Sequence, residues 1–273
     1  MNILVCLDEN YLLPLRVMLK SLFVNNPGEK VVVWLLHRAI PQAELQSLEI
    51  FCRGHGAGLC PIAVDGSLFY GAPVMRHYTQ EMYYRLLAPH LLPSTLHRVL
   101  YLDPDTLIIN PLRPLYQLDM QGNVFAAASH TGKTEMANNM NKIRLGTEHN
   151  YFNSGVLLIN LNEGRKQMDP QAMFRFVAEN TKDLLLPDQD ILNSLYGAQT
   201  LEVDDSIWNY DARNYGNYIL RSAGQADVDW VMQNTAILHF CGNTKPWKPL
   251  YPHRFGLLYR HYMQLATRPA ASW

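Results

Sequence analysis

Apolar residues recur along this chain with two alternating periods, and the alternation predicts the order of its elements. Asn2 to Leu7 is a short, continuous apolar run of the kind a strand covered on both faces needs. It ends at Asp8-Glu9-Asn10. Leu12, Leu15, Val17, Met18, Leu19, Leu22 and Phe23 then form a helical stripe that Asn25-Asn26-Pro27-Gly28 stops. Val31 to Leu36 reads as a second strand, Gln42 to Phe51 as a helix started after Pro41, and Leu59 to Val64 as a third strand. This βαβαβ alternation predicts an α/β fold: a Rossmann-like, mostly parallel central sheet flanked by helices, with right-handed crossovers.

Beyond that half, Thr79 to Leu87 predicts a helix presenting Arg85, either as a solvated face residue or as an ion-pair partner. Val99 to Leu102 is the next buried strand. It breaks at Asp103-Pro104-Asp105 and resumes as a short apolar run through Ile109. Leu112 to Leu118 reads as a helical piece and Asn123 to Ala128 as a strand. Ser129 to Asn150 is polar, Asn-rich and weakly periodic, and is expected to be a long loop bordering a site. Val156 to Leu161 reads as a strand with Asn153-Ser154-Gly155 at its start. Helices follow from Pro170 to Asn180 and from Pro187, and Ala236 to Phe240 is a last short strand running into Cys241-Gly242-Asn243-Thr244-Lys245.

Composition narrows the possible functions. The formal net charge of −1 and the lack of a basic block argue against nucleic acid as a partner. The four cysteines, Cys6, Cys52, Cys60 and Cys241, lack paired metal-ligand spacing and read as reduced thiols of a cytoplasmic protein. The N-terminus enters a strand directly, which argues against a signal peptide. No apolar run approaches the ~20 residues of a transmembrane helix, and the modest Arg- and Tyr-containing C-terminal segment makes membrane docking doubtful.

Candidate chemistry gathers at strand ends. Two carboxylates one residue apart, Asp103 and Asp105, are either a simple turn or a pair that shares a divalent cation at the sheet's ligand-binding edge. The first turn lacks Gly-x-Gly-x-x-Gly, which disfavours a dinucleotide held there. Asp8 and Asn10 either cap the first helix or meet a pyrimidine base with Tyr11 stacking on the ring. Asp188, Gln189 and Asp190 are helix caps or a sugar-binding edge. His239 is a satisfied core residue or a third metal ligand, with Gly242 allowing close backbone approach and Lys245 meeting phosphate charge.

These segments occur in a recognisable order: Asp8-x-Asn10-Tyr11, Arg85, Tyr101-Leu102-Asp103-x-Asp105, Phe152-Asn153-x-Gly155 through Leu161, Asp188 to Asn193, and His239-Phe240-x-Gly242-x-x-Lys245-Pro246-Trp247. The set resembles glycosyltransferase family eight, which includes glycogenin, galactinol synthase and bacterial lipopolysaccharide galactosyl- and glucosyltransferases. The resemblance implies one GT-A domain over 1–273: a nucleotide-binding half (1–110), a sugar and acceptor half (111–250) and a C-terminal segment (251–273). It implies a UDP-glucose or UDP-galactose donor, a saccharide acceptor such as lipopolysaccharide or another envelope glycan, and retention of anomeric configuration. Mn²⁺, with Mg²⁺ as the substitute, would be held by Asp103, Asp105 and His239. Asp8, Asn10 and Tyr11 would take the uridine, Lys245 and the Gly242 backbone the diphosphate, and Arg85, Asn153, Asp188 and Gln189 the sugar.

Gln189 would lie below the sugar. An amide is a poor nucleophile, which favours same-face attack, with Asp188 and Asp190 as reserve nucleophiles. Pro104 stiffens the turn without removing a ligand. Ser154 stands where the family has alanine, and His77 and His130 are candidates for the acceptor side. A metal-dependent nucleotide-sugar hydrolase and a non-catalytic UDP-sugar binder are the alternative functions.

Overall fold

The computed structural model describes residues 1–65, 81–129, 135–180 and 184–268. Thr79, His77, His130 and the start of the 129–150 segment's interior therefore lie outside the described residues, as does the end of the C-terminal segment. The strands are β1 (Asn2–Cys6), β2 (Val32–His37), β3 (Gly58–Ala63), β4 (Arg98–Leu102), β5 (Thr106–Ile108), β6 (Phe125–Ser129), β7 (Phe152–Asn160), β8 (Thr200–Val203), β9 (Tyr210–Asp211) and β10 (Ile237–His239). The helices in the first half are α1 (Leu12–Asn25), α2 (Gln42–Gly54), α3 (Glu81–Leu91), α4 (Arg113–Tyr116) and α5 (Glu135–Leu145). Those that follow are α6 (Leu161–Gln167), α7 (Pro170–Asn180), α8 (Pro187–Tyr196), α9 (Asp205–Trp208), α10 (Tyr215–Arg221), α11 (Val228–Asn234) and α12 (Gly256–Thr267).

Seven strands form a central sheet in the order β3-β2-β1-β4-β7-β6-β8. It has a core on each face, which is why its inner strands read as unbroken apolar runs. On β1, Ile3 and Val5 join α1 and α2, through Leu15, Leu19, Leu22, Leu45 and Leu48. Leu4 and Cys6 face the other way, toward Tyr84 and Leu87 of α3 and Ile191 and Leu192 of α8. The sheet is parallel except for β7, which runs antiparallel to both β4 and β6. That reversal matters functionally, because it brings the start of β7 against the end of β4, with Leu102 opposite Val156 and Asp103 N donating to Gly155 O at 2.8 Å.

A second sheet, β5-β10-β9, is built on its own core with α12 and α10, including Leu107, Leu238, Phe240, Tyr210 and Tyr259. Asp103-Pro104-Asp105 is the crossover between the two sheets. β5 pairs antiparallel with β10, setting His239 opposite Thr106, and Phe240 N donates to Asp105 O at 3.0 Å. Two residues far apart in sequence are thereby fixed side by side through backbone hydrogen bonds.

Several expectations need correction. The 129–150 segment is not one long loop: α5 occupies its middle, from Glu135 to Leu145. This helix has no apolar stripe to announce it, and its Met140 and Ile143 are 65% and 82% exposed. Polar contacts hold it, including Asn138 Nδ2 donating to Asn150 Oδ1 and Asn138 Oδ1 accepting from Tyr151 N, both at 2.8 Å. β7 begins at Phe152, four residues before the expected Val156, so Asn153, Ser154 and Gly155 lie within the strand. Described α3 runs on to Leu91 through Pro89, whose ring fits against Gly164 of α6, where a Cβ would lie 2.5 Å from Pro89 Cγ.

Candidate active site

The central sheet's edge and the small sheet enclose a cavity of about 570 Å³ lined by Arg85, Asp103, Asp105, Asn153, Asp188, Gln189, Asp211, Arg213 and His239, among others. A neighbouring cavity of about 610 Å³ is lined by Asn10, Tyr11, Asn243, Lys245, Trp247 and Lys248. Gly242 borders both. Each is of the size small-ligand sites have.

One carboxylate oxygen from each of Asp103 and Asp105 and a His239 ring nitrogen lie within 4.8 Å of one another, so one cation could touch all three. His239 Nε2 is 3.4 Å from Asp105 and 3.8 Å from Asp103. Its Nδ1 faces Asn209 Oδ1 at 2.9 Å, and with Nδ1 as donor Nε2 is turned toward the carboxylates, as at metal-binding histidines. Gly155 closes the back of the cluster, where a Cβ would fall 2.6 Å from Asp103 Oδ2 and closer still to His239 Cε1. The donor set and the missing side chain both fit a metal ion.

Electrostatics separates the two aspartates. Burial disfavours ionisation of both. At Asp105, His239 and Lys245 outweigh it and hold the carboxyl well below the ordinary carboxylate range. At Asp103 burial prevails over Arg85, and the pKa rises. Burial opposes the charge on His239 too, yet Cys241 and Asp105 keep its pKa well above the ordinary imidazole value.

Arg85 is buried and acts as an ion-pair partner, not a solvated residue. Its Nη1 donates to Ser154 O at 3.0 Å and lies 3.1 Å from Asp103 Oδ1 and 3.3 Å from Asp188 Oδ2, with the guanidinium 4.4 Å above the Tyr101 ring. Tyr101 OH donates to Asp103, and Ser154 Oγ donates to Asp188 Oδ2 at 2.8 Å. Gln189 Oε1 accepts from Asn153 Nδ2 at 3.1 Å, and Asn153 Oδ1 accepts from Asn209 Nδ2 at 2.9 Å. The start of β7 is thus tied through Asn209 to His239.

Lys245 Nζ donates to Asp105 and to Phe240 O. Tyr11 meets Trp247 edge-on at 6.1 Å between centroids, making an aromatic wall in the second cavity. Asp8 caps the following turn, accepting from Asn10 N at 2.9 Å and Asn10 Nδ2 at 3.2 Å. Asp190 is placed differently from its neighbours: it has no exposed surface. It accepts a two-point fork from Arg144 at 3.0 and 2.6 Å, Tyr151 OH at 2.6 Å, and the amides of Leu185 and Leu186. The contacts of Asn209, Arg144 and Tyr151, and the places of Asp211 and Arg213 in the cavity wall, went unread in the sequence, where no pattern sets them apart.

Arg144 clamps α5 to the start of α8, and its loss would strand a buried carboxylate. Arg144→Ala is expected to cost about 3 kcal/mol of stability in denaturant unfolding. Arg144→Lys should recover only part, since an ammonium cannot supply the fork. Although burial disfavours its charge, Asp190's partners hold its pKa below the ordinary value. Its contribution should therefore be complete above the unfolded carboxyl pKa of about 3.9 and fade as pH falls through the lower folded value.

The profile of Glycosyl transferase family 8 matches residues 2–250, which carry every element of both sheets and both cavities. The chain belongs to glycosyltransferase family 8. This family 8 protein is 31% identical over 271 residues to general stress protein A of Bacillus subtilis (strain 168), covering 96% of this chain and 93% of that one. It is 25% identical over 251 residues to a lipopolysaccharide 1,2-glucosyltransferase of Escherichia coli, covering 88% and 71%. Among solved structures, it superposes on the galactosyltransferase LgtC, crystallised with donor and acceptor sugar analogues. The TM-score is 0.82 with 26% identity, over 100% of this chain and 99% of that one. The family 8 protein is thus a GT-A-fold glycosyltransferase, and among its described residues no helix is long and apolar enough to cross a membrane.

Proposed function

We propose that this glycosyltransferase moves a hexose from UDP-glucose or UDP-galactose to a saccharide acceptor, on the cytoplasmic side, with retention of configuration and with Mn²⁺ held by Asp103, Asp105 and His239. The observation that carries the proposal is the convergence of ligand atoms of those three side chains within 4.8 Å in the wall of a cavity lined mostly by polar and charged side chains, beside an aromatic-walled one that shares Gly242 with it. Two carboxylates with an imidazole suit Mn²⁺ better than Mg²⁺, which favours all-oxygen sites. The names of the lipopolysaccharide glucosyltransferase and LgtC support a sugar donor and a glycan acceptor.

A bound divalent cation would supply Lewis-acid stabilisation of the charge on the departing diphosphate. Lys245 adds a cation on the same side, and Tyr11 with Trp247 forms a stacking wall for the uracil. Arg85, Asn153, Asp188 and Gln189 form a polar edge for the sugar hydroxyls, each fixed by a partner before substrate arrives. The acceptor hydroxyl attacks the anomeric carbon on the face that UDP leaves, and a departing phosphate oxygen takes its proton. Asp188 is engaged with Arg85 and Ser154, and Asp190 is enclosed by Arg144, Tyr151 and two amides, which argues against either as a covalent nucleophile. A crystallised LgtC variant replaces an active-site glutamine with glutamate, which fits an active-site role for Gln189 here.

The test is a mass-spectrometric screen of UDP-sugars with Mn²⁺ against simple glycosides. A hexose increment on the acceptor is expected. Equal UDP release with and without acceptor would instead make the protein a hydrolase, and metal-dependent UDP binding with no turnover would make it a binder. Intact-mass analysis of quenched turnover should show no glycosyl adduct; one on Asp188 or Asp190 would establish double displacement.

A further inference from the structure

Two charged residues of the cavity that holds the Asp103, Asp105 and His239 cluster have no part in that mechanism: Asp211 and Arg213. Asp211 ends β9 beside His239 in the small sheet, and its side chain is 1% exposed against 24% for Arg213. Arg213 N and Nε donate to Asp211 Oδ1 at 3.0 and 2.9 Å, Nη2 donates to Oδ2 at 2.7 Å, and Asn214 Nδ2 joins Oδ2 at 2.7 Å. One edge of the guanidinium is therefore locked, and the carboxylate that locks it is hidden from ligand.

The other end of the group is Nη1, which rests on Gly242. A Cβ at Gly242 would fall well inside contact distance of Nη1, and Gly242 sits at φ +81°, where a side chain is strained in any case. The backbone gives way here to an arginine, not only to a ligand. Gly242 borders both cavities, so Nη1 lies where the polar and the aromatic cavities adjoin. Arg85 offers a contrast: its Nη1 is fully engaged by Ser154 O, Asp103 and Asp188. Arg213 Nη1 has no protein acceptor among the described residues.

A guanidinium oriented by a hidden carboxylate, with one nitrogen left toward a cavity, is preorganised to bind an oxyanion at small entropic loss. We propose that Arg213 recognises, through Nη1, a phosphate or carboxylate group of the bound substrates. The inference rests on the transferase reading above, on which that oxyanion belongs either to the donor's diphosphate or to an acidic acceptor. Arg213 would then separate charged from neutral substrates in a way the metal cluster alone does not.

The experiment compares wild type with Arg213→Gln and with Asp211→Asn/Arg213→Gln, the second variant because the first leaves Asp211 buried without its cation. UDP is titrated in the presence of Mn²⁺, and transfer to an alkyl glucoside is compared with transfer to the matching glucuronide, with thermal melts alongside. Loss of a charge-assisted hydrogen bond should lower one of the two readouts about tenfold or more in both variants. Weaker UDP binding assigns the oxyanion to the donor. Unchanged UDP binding with a fall in the glucuronide-to-glucoside ratio of kcat/KM assigns it to the acceptor. Values within twofold of wild type in both arms, in a wild type that binds UDP, overturn this inference alone. A wild type that fails to bind UDP with Mn²⁺ removes the transferase reading, and this one with it.

Discussion

Asp105→Ala should abolish metal-dependent UDP binding and sugar transfer while leaving a folded protein. Asp105 is the member of the cluster held most firmly in its ionised form, and it faces both His239 and Lys245. Loss of groups that merely orient metal ligands already costs about 10–100-fold. Removal of a ligand itself should lower transfer on the order of 10³-fold or more. The fold should survive, because the backbone bond from Phe240 N to Asp105 O that joins the two sheets does not involve the side chain. Mn²⁺ titration, UDP affinity with and without the metal, and a circular-dichroism melt check the three parts separately. A variant that keeps Mn²⁺-dependent UDP affinity would remove Asp105 from the site.

Gly155→Ala is expected to be nearly as damaging, through a single methyl group. The added Cβ would sit 2.6 Å from Asp103 Oδ2 and against His239 Cε1. Neither neighbour has room to yield: Arg85 and Tyr101 hold Asp103, and Asn209 holds His239. The strand cannot retreat, since Gly155 O accepts from Asp103 N and Val156 is paired with Leu102. Metal affinity and transfer should fall at least about 100-fold, with a stability loss of about 1–3 kcal/mol from overpacking. Gly216→Ala is the control, because a Cβ there meets nothing within 4 Å in α10. It should be neutral or slightly stabilising. Wild-type Mn²⁺ affinity in Gly155→Ala would show that the cluster is not where the metal binds.

The sequence could be read where burial leaves a periodic mark. Strands β1, β2 and β4 stand out because both faces of the sheet are covered, and α1 and α7 because one apolar stripe each faces the core. Helix α5 left no such mark, since its attachments are polar and its partners, Asn150 and Asp190, lie outside it. The direction of β7 was equally hidden, because alternation of apolar residues is the same read either way along a strand. Arg85 could be singled out but not assigned: only packing against Tyr101, Asp103 and Asp188 distinguishes a wall residue from a solvated one.

What the sequence by itself determined is the family, the α/β class and the identity of the groups able to bind metal and sugar, because these depend on residue types in a fixed order. What only the tertiary structure decided is which of those groups act together. The reversal of β7 sets Asn153, Ser154 and Gly155 against the end of β4, and the β5–β10 pairing carries His239 to Asp105. The same packing encloses Asp190 and leaves one nitrogen of Arg213 at the cavity. Proximity between distant segments is set by backbone hydrogen bonds and burial, and neither is written in the local pattern of a chain.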